Sequence, residues 1–159
     1  YDRLTGVHNR GRILDVLAHE QMRFARGGGS LCVCLVDADE LKGINDTLGH
    51  RAGDLALQAI AQTAHRELRV VDAIGRYGGD EFLLVLSQTG LDGARECAER
   101  IRARIELSDC IGGDARRQIT VSCGITRHRR GESMQDTLQR ADAALYRAKH
   151  RGRNCVEVE

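Results

Sequence analysis

Hydrophobic positions along the chain follow two alternating periods. Between Arg10 and Arg26, Ile13, Val16, Leu17 and Phe24 share one helical face, and the run stops at Gly27, Gly28, Gly29 and Ser30. Leu31 to Val36 is continuously apolar and ends in Asp37, the pattern of a strand covered on both faces. After a short turn-rich piece, Leu57, Ile60, Ala61, Ala64 and Leu68 recur at helical spacing, predicting a helix from about Gly53 to Leu68. Two β-like runs follow, Asp72–Tyr77 and Glu81–Ser87, with Gly78 and Gly79 between them. That pair is expected to supply the positive φ angles of a tight hairpin turn. Leu91, Ala94, Ala98, Ile101 and Ile105 mark another helix, Gln118–Thr126 another strand, and Leu138, Ala141, Leu145 and Ala148 a last helix before a short strand at Asn154–Val158. Helices alternating with strands, without proline, low-complexity segment or internal repeat, predict a single α/β domain with a mixed sheet.

At 159 residues the chain is the size of one domain, long enough to bury roughly 70% of its unfolded surface. Lys plus Arg (24) nearly balance Asp plus Glu (23), so no global field points to nucleic acid or a membrane surface. The apolar run Leu31–Val36 is too short to cross a bilayer, and the N-terminus lacks a secretory pattern, so the expected location is cytoplasmic. Cysteines 32, 34, 97, 110, 123 and 155 lack zinc spacing and are read as reduced thiols. A start at Tyr1 rather than Met suggests a piece of a longer protein whose upstream sensor lies elsewhere.

Two segments carry chemistry. In Asp37-Ala38-Asp39-Glu40-Leu41-Lys42-Gly43-Ile44-Asn45-Asp46 a buried strand runs straight into acids. A carboxylate at a strand exit is held rigidly yet reaches the surface, as a site for a hard cation requires. From this segment alone a solvated strand end reads the same way. In Arg76-Tyr77-Gly78-Gly79-Asp80-Glu81-Phe82 the glycines let a ligand approach the backbone, and two carboxylates then enter an otherwise apolar strand. Paired with Asp37 across neighbouring strands, Asp80 could complete a carboxylate cage for metal ions that also hold triphosphate oxygens.

Gly78–Phe82 reads GGDEF letter for letter. It follows the DxDxxKxxND pattern at Asp37–Asp46, with Leu4-Thr5-Gly6-Val7-His8-Asn9-Arg10 before it. Ala141-Asp142-Ala143-Ala144-Leu145-Tyr146-Arg147-Ala148-Lys149 and Gly152-Arg153-Asn154 come after it. These ordered blocks make the chain resemble the GGDEF family of diguanylate cyclases from end to end. The resemblance implies an α+β fold like nucleotide cyclase and polymerase palm domains, a mixed five-stranded sheet flanked by helices. It implies condensation of two GTP into cyclic di-GMP and two pyrophosphates.

Carried over position by position, the resemblance makes Asp37 and Asp80 magnesium ligands together with the Ala38 carbonyl, with two Mg2+ per site. Glu81 falls beside the reacting 3′-hydroxyl, aiding either the metal or proton removal. Asn45 and Asp54 match guanine readers, whose amide and carboxylate suit the base edge. Read locally, they are a turn Asn and an Asp serving the first helical turn. Lys149 and Arg153 match a clamp on the β and γ phosphates, although basic residues at a helix C-terminus also complement its dipole. Backbone amides from Glu40 to Lys42 are expected to meet phosphate, with Leu41 where the family usually has Phe, and Gly78 and Gly79 flank the substrate. Arg69 and Asp72 resemble the RxxD site for product inhibition, and an ordinary surface pair reads the same locally.

The implied partners are GTP, cyclic di-GMP, a second GGDEF domain and an upstream sensory or receiver domain. The implied chemistry is attack of each 3′-hydroxyl on the opposite α-phosphate across a dimer. An alternative is a catalytically silent module that binds cyclic di-GMP or GTP as a receptor. His8, His19, His50, His65, His128 and His150 form no ligand pattern, and His50 reads as a turn residue.

Overall fold

The computed structural model describes residues 1–108 and 118–159. Helix α1 (Arg10–Gly27) opens on Asn9, whose side chain accepts a hydrogen bond from the Arg12 amide at 2.9 Å. It closes at Gly28 with φ 72°, a left-handed conformation that suits glycine. Strand β1 (Leu31–Ala38) leads into α2 (Leu41–Leu48) and α3 (His50–Glu67). The hairpin β2 (Ala73–Arg76) and β3 (Glu81–Ser87) follows, then α4 (Leu91–Glu106), β4 (Val121–Arg127), α5 (Met134–His150) and β5 (Val156–Val158).

The five strands lie in the order β2-β3-β1-β4-β5. β1 is central, antiparallel to both β3 and β4, while β4 and β5 run parallel, so the sheet is mixed as expected. Its unbroken apolar run follows from that position. Cys32, Cys34, Val36 and Ala38 enter the core under α2, α3 and α4, while Leu31, Val33 and Leu35 enter the core beneath α1 and α5. Cys97 and Cys123 join the first of these cores; the five described cysteines are unpaired thiols, four of them small buried fillers and Cys155 half-buried. Cys110 lies outside the described residues. Helix α5 presses so closely on β4 that a Cβ at Gly124 would overlap backbone atoms of Ala141 and Leu145.

Two local expectations change. The piece after β1 is helical over eight residues, because Leu41 and Ile44 are buried in the α2–α3 core; His50 therefore opens a helix rather than sitting in a turn. Neither Gly78 nor Gly79 takes a positive φ. The hairpin closes through a four-residue loop, Tyr77–Asp80, in which the Tyr77 and Gly78 amides both donate to the Glu81 carbonyl at 2.8 and 3.2 Å. A Cβ at Gly78 would come within 2.6 Å of Glu81 Oε2, so a larger residue there would displace the Glu81 carboxylate.

Candidate active site

Strand register brings the acids of the two motifs together. Asp37 lies opposite Glu81 on β3 and opposite Ser122 on β4, and the Ala38 amide donates to the Asp80 carbonyl at 3.1 Å. By the two-residue alternation of a strand, Asp37 and Glu81 share the face of Leu35 and Leu83, which is covered by α1 and α5. There Lys149, on the last turn of α5, places Nζ 2.9 Å from Asp37 Oδ2.

These acids are poorly solvated and crowd one another. Burial pushes the Asp37 carboxyl up to about 6, with Asp80 and Glu81 adding to the rise and Lys149 opposing it. Burial also raises Glu81, again opposed by Lys149 and reinforced by Asp80 and by Asp142 of α5. A cluster that holds negative charge against such a penalty is suited to a cation. Among the described residues no three acidic, imidazole or thiol side chains converge closely enough to ligate one by themselves. A hard cation here would rest on one or two carboxylates and the Ala38 carbonyl, and would take its remaining oxygens from phosphate and water, as magnesium commonly does.

Asp39 does something different from Asp37. Its buried carboxylate accepts from Thr120 Oγ1 (2.8 Å), Ser122 Oγ (2.7 Å) and the Asn154 amide (3.0 Å), tying β1 to β4 and to the turn after α5. Beside it a cleft of about 580 Å³ opens between α2 and that turn, bordered by Glu40, Ile44, Asp46, Thr120, Arg153 and Asn154. Leu41 is buried and Lys42 exposed in the first turn of α2, where the helix amides could receive an anion. Glu40 precedes them in a left-handed conformation, φ 54°.

Asn45 projects from α2 against α3. Its Oδ1 is buried without a hydrogen-bond partner, and a Cβ at Gly53 would overlap it, so glycine is what lets the amide occupy this place. An unpaired buried acceptor is costly unless a ligand donates to it. Asp54 is exposed on the adjoining turn of α3. Arg69 and Asp72 are not part of this cluster. They meet at the α3–β2 turn, where the Asp72 carboxylate accepts from the Arg69 amide and the Ser87 amide, each at 3.1 Å. Ser87 ends the strand that Glu81 begins, so the two sites are about 20 Å apart along β3.

Three contributors escaped the sequence reading. Arg76 donates through Nε and Nη2 to the Gly79 carbonyl (3.2 and 2.6 Å) and pairs with Asp2 at 3.4 Å, bracing the loop that carries Asp80. Arg10 lies over the Tyr77 ring, 4.9 Å from its centre, and Asp142 shares a groove with Glu81. Asp142 stands seven residues before Lys149, two helical turns away on one face, and that spacing was legible.

Comparison with known proteins decides the family. The model of the family described as "Diguanylate cyclase, GGDEF domain" matches residues 1–155. The chain belongs to the GGDEF family. This GGDEF domain is 41% identical over 157 residues to diguanylate cyclase DgcP of Pseudomonas aeruginosa, covering 99% of this chain and 23% of that protein. It is 38% identical to diguanylate cyclase DgcM of Escherichia coli, over 98% of this chain and 37% of that protein. The chain thus spans well under half the length of either relative. Among solved structures, diguanylate cyclase SiaD from P. aeruginosa in complex with its activator SiaC superposes with a TM-score of 0.95 at 42% identity, over 99% of this chain and 61% of that one. The GGDEF domain of DgcB from Caulobacter crescentus in complex with c-di-GMP gives 0.90 at 33%, over 99% and 91%. No helix among the described residues is long and apolar enough to cross a membrane.

Proposed function

We propose that this GGDEF domain is a diguanylate cyclase, condensing two GTP into cyclic di-GMP with release of two pyrophosphates. The observation that carries the proposal is the register that sets Asp37 against the Asp80–Glu81 hairpin, beneath Lys149, with Asp39 two residues on bordering the cleft of α2. Its family and the diguanylate cyclases among its relatives supply the reaction.

In this reading Asp37, Asp80 and the Ala38 carbonyl hold Mg2+, two per site, which when bound would acidify the attacking hydroxyl and offset charge on the phosphoryl oxygens. Lys149 and Arg153 neutralise the β and γ phosphates, with the α2 amides at Leu41 and Lys42 receiving further oxygens. Gly78 and Gly79 leave the nucleotide room beside the loop. Asn45 Oδ1 accepts from the guanine edge and Asp54 accepts from its N1 and exocyclic amine hydrogens. Glu81 stands at the 3′-hydroxyl. One domain holds one GTP, so the partner in catalysis is a second copy, and alignment across the pair is the protein's main contribution. The free thiols and the nucleotide substrate suit the cytoplasm, and an upstream sensory domain would govern pairing.

The test is incubation of the purified chain with GTP and magnesium, following cyclic di-GMP and pyrophosphate. Product should appear, at a rate rising faster than linearly with protein concentration; GTP bound but never converted would mark a receptor instead. Feedback is part of the proposal. Two backbone amides hold the Asp72 carboxylate in place with acceptor capacity left for guanine, and exposed Arg69 is a handle for product guanine or phosphate. Arg69→Ala should relieve inhibition, and full activity of the unchanged chain in saturating cyclic di-GMP would remove the feedback site.

A further inference from the structure

The turn that presents Arg153 is held in an unusual backbone conformation. Arg153 and Asn154 both take left-handed φ, 64° and 47°, directly after Gly152 at 112°. Asparagine tolerates this region better than most side chains and arginine does not, so two successive residues there persist only where surrounding contacts fix them. Arg153 itself contributes little to that: its amide donates to the Ala148 carbonyl at 3.1 Å, and its side chain is exposed beside the cleft.

Asn154 is the residue that is held. Its amide donates to Asp39 Oδ2 at 3.0 Å, its Oδ1 accepts from Arg102 Nη1 at 2.8 Å, and its Nδ2 donates to Glu106 Oε1 at 2.8 Å. Arg102 and Glu106 are one turn apart on α4, paired with each other at 2.8 Å, and Arg102 Nε is anchored on Glu99 at 2.9 Å. The Arg102 side chain is only 18% exposed. A planar fork engages Glu99, Glu106 and Asn154 together, which a lysine ammonium on a flexible stem does not reproduce. Helix α4 contributes nothing to the cleft lining, yet it fixes the turn from behind while Asp39 fixes it from the sheet.

We infer that Arg102 and Glu106, acting through Asn154, are positioning residues for the phosphate-binding Arg153: they lock the left-handed turn so that its guanidinium is set for the distal phosphates before nucleotide arrives. The inference rests on the proposed role of Arg153. Preorganisation of this kind lowers the ordering required on binding and should act on the triphosphate alone, because the base and ribose are held elsewhere.

The experiment compares binding of an α,β-methylene analogue of GTP with binding of GMP, in magnesium, by calorimetry. The unchanged chain should bind the triphosphate analogue more tightly than GMP. Arg102→Ala should weaken the analogue about tenfold and leave GMP within about twofold. Asn154→Gly, which keeps the left-handed backbone accessible, should do the same and carries the test if the Arg102 variant does not fold. Arg153→Ala should match them, and the Arg102→Ala/Arg153→Ala double variant should be no weaker than Arg153→Ala alone. Unaltered triphosphate binding in the Arg102 and Asn154 variants, an equal loss for GMP, or losses that add in the double variant would overturn the inference. An unchanged chain that fails to discriminate the triphosphate from GMP would instead overturn Arg153 as a phosphate ligand, a separable result.

Discussion

At one end of β1, Asp37 lies among Asp80 and Glu81 with Lys149 the one cation in contact among the described residues, and burial holds its carboxyl up near 6. Beyond the other end, Glu132 accepts from Arg140 Nε and Nη2, both at 2.7 Å, from the Arg129 amide at 3.0 Å and from Thr137 Oγ1 at 3.0 Å; these bonds hold its carboxyl down near 2. The Arg140 fork also reaches Thr126 Oγ1 and the Arg127 carbonyl. Buried His128 joins this group through Thr137 (2.7 Å) and Gln21 (3.3 Å), while its amide bonds to Leu31, the first residue of β1. At one end of β1 there is thus an acid whose charge is opposed and beyond the other, in the β4–α5 loop, an acid whose charge is fully met. Satisfied charge of the second kind joins α1, β4 and α5 into one body, whereas unsatisfied charge of the first kind is left for a ligand to complete.

The largest effect should come from cutting the unsatisfied end. Asp80→Ala should lower product formation at least roughly a thousandfold, about 4 kcal/mol of barrier, with an unaltered circular dichroism spectrum and melting temperature. Retained turnover would remove Asp80 from the metal site. Next in size is the satisfied end. Arg140→Ala strands Glu132 and should cost roughly 2 kcal/mol, a fall of ~4–8 °C in Tm. The rate per folded molecule should stay within about twofold. A large loss of rate at full stability would show that the two ends are not separable.

How much of this was legible depended on whether a feature is periodic or pairwise. The strands and long helices follow from side-chain period, so the core positions of β1, β3, α3 and α5 were readable directly. Helix α2 was read as a turn because Gly43, Asn45, Asp46 and Thr47 are weak helix formers, although Leu41, Ile44 and Leu48 keep helical spacing and packing on α3 decides the matter. The glycines of the signature pointed to a turn with positive φ, but their loop is four residues long and neither takes one; what Gly78 does is leave the Glu81 carboxylate its place. The motifs named Asp37, Asp80 and Glu81; only the register states that they meet. Ties such as Arg76 to Gly79, Arg102 to Asn154 and Arg140 to Glu132 join positions with no shared period, and no local pattern announces them.

The smallest effect sharpens the comparison most, because the two acids should move stability in opposite directions with pH. Asp37 in the fold holds its proton more tightly than in the unfolded chain. Its contribution to stability is thus complete below the ordinary value of 3.8 and is lost as pH rises through about 6. Glu132 is the reverse: its contribution is present above 4.5 and disappears as pH falls toward 2. Replacing Asp37 by Asn removes a charge that is unfavourable at neutral pH and keeps an oxygen for Lys149. Asp37→Asn should therefore stabilise the metal-free protein by about 1 kcal/mol at pH 7.5, with the gain vanishing near pH 4, while abolishing product formation. Glu132→Gln should destabilise at pH 7.5 and approach the unchanged chain only in strong acid. Urea melts of both variants between pH 4 and 8 give the two slopes. If Asp37→Asn is the less stable protein at pH 7.5, then the Lys149–Asp37 pair stabilises the fold and the contrast between the two ends fails.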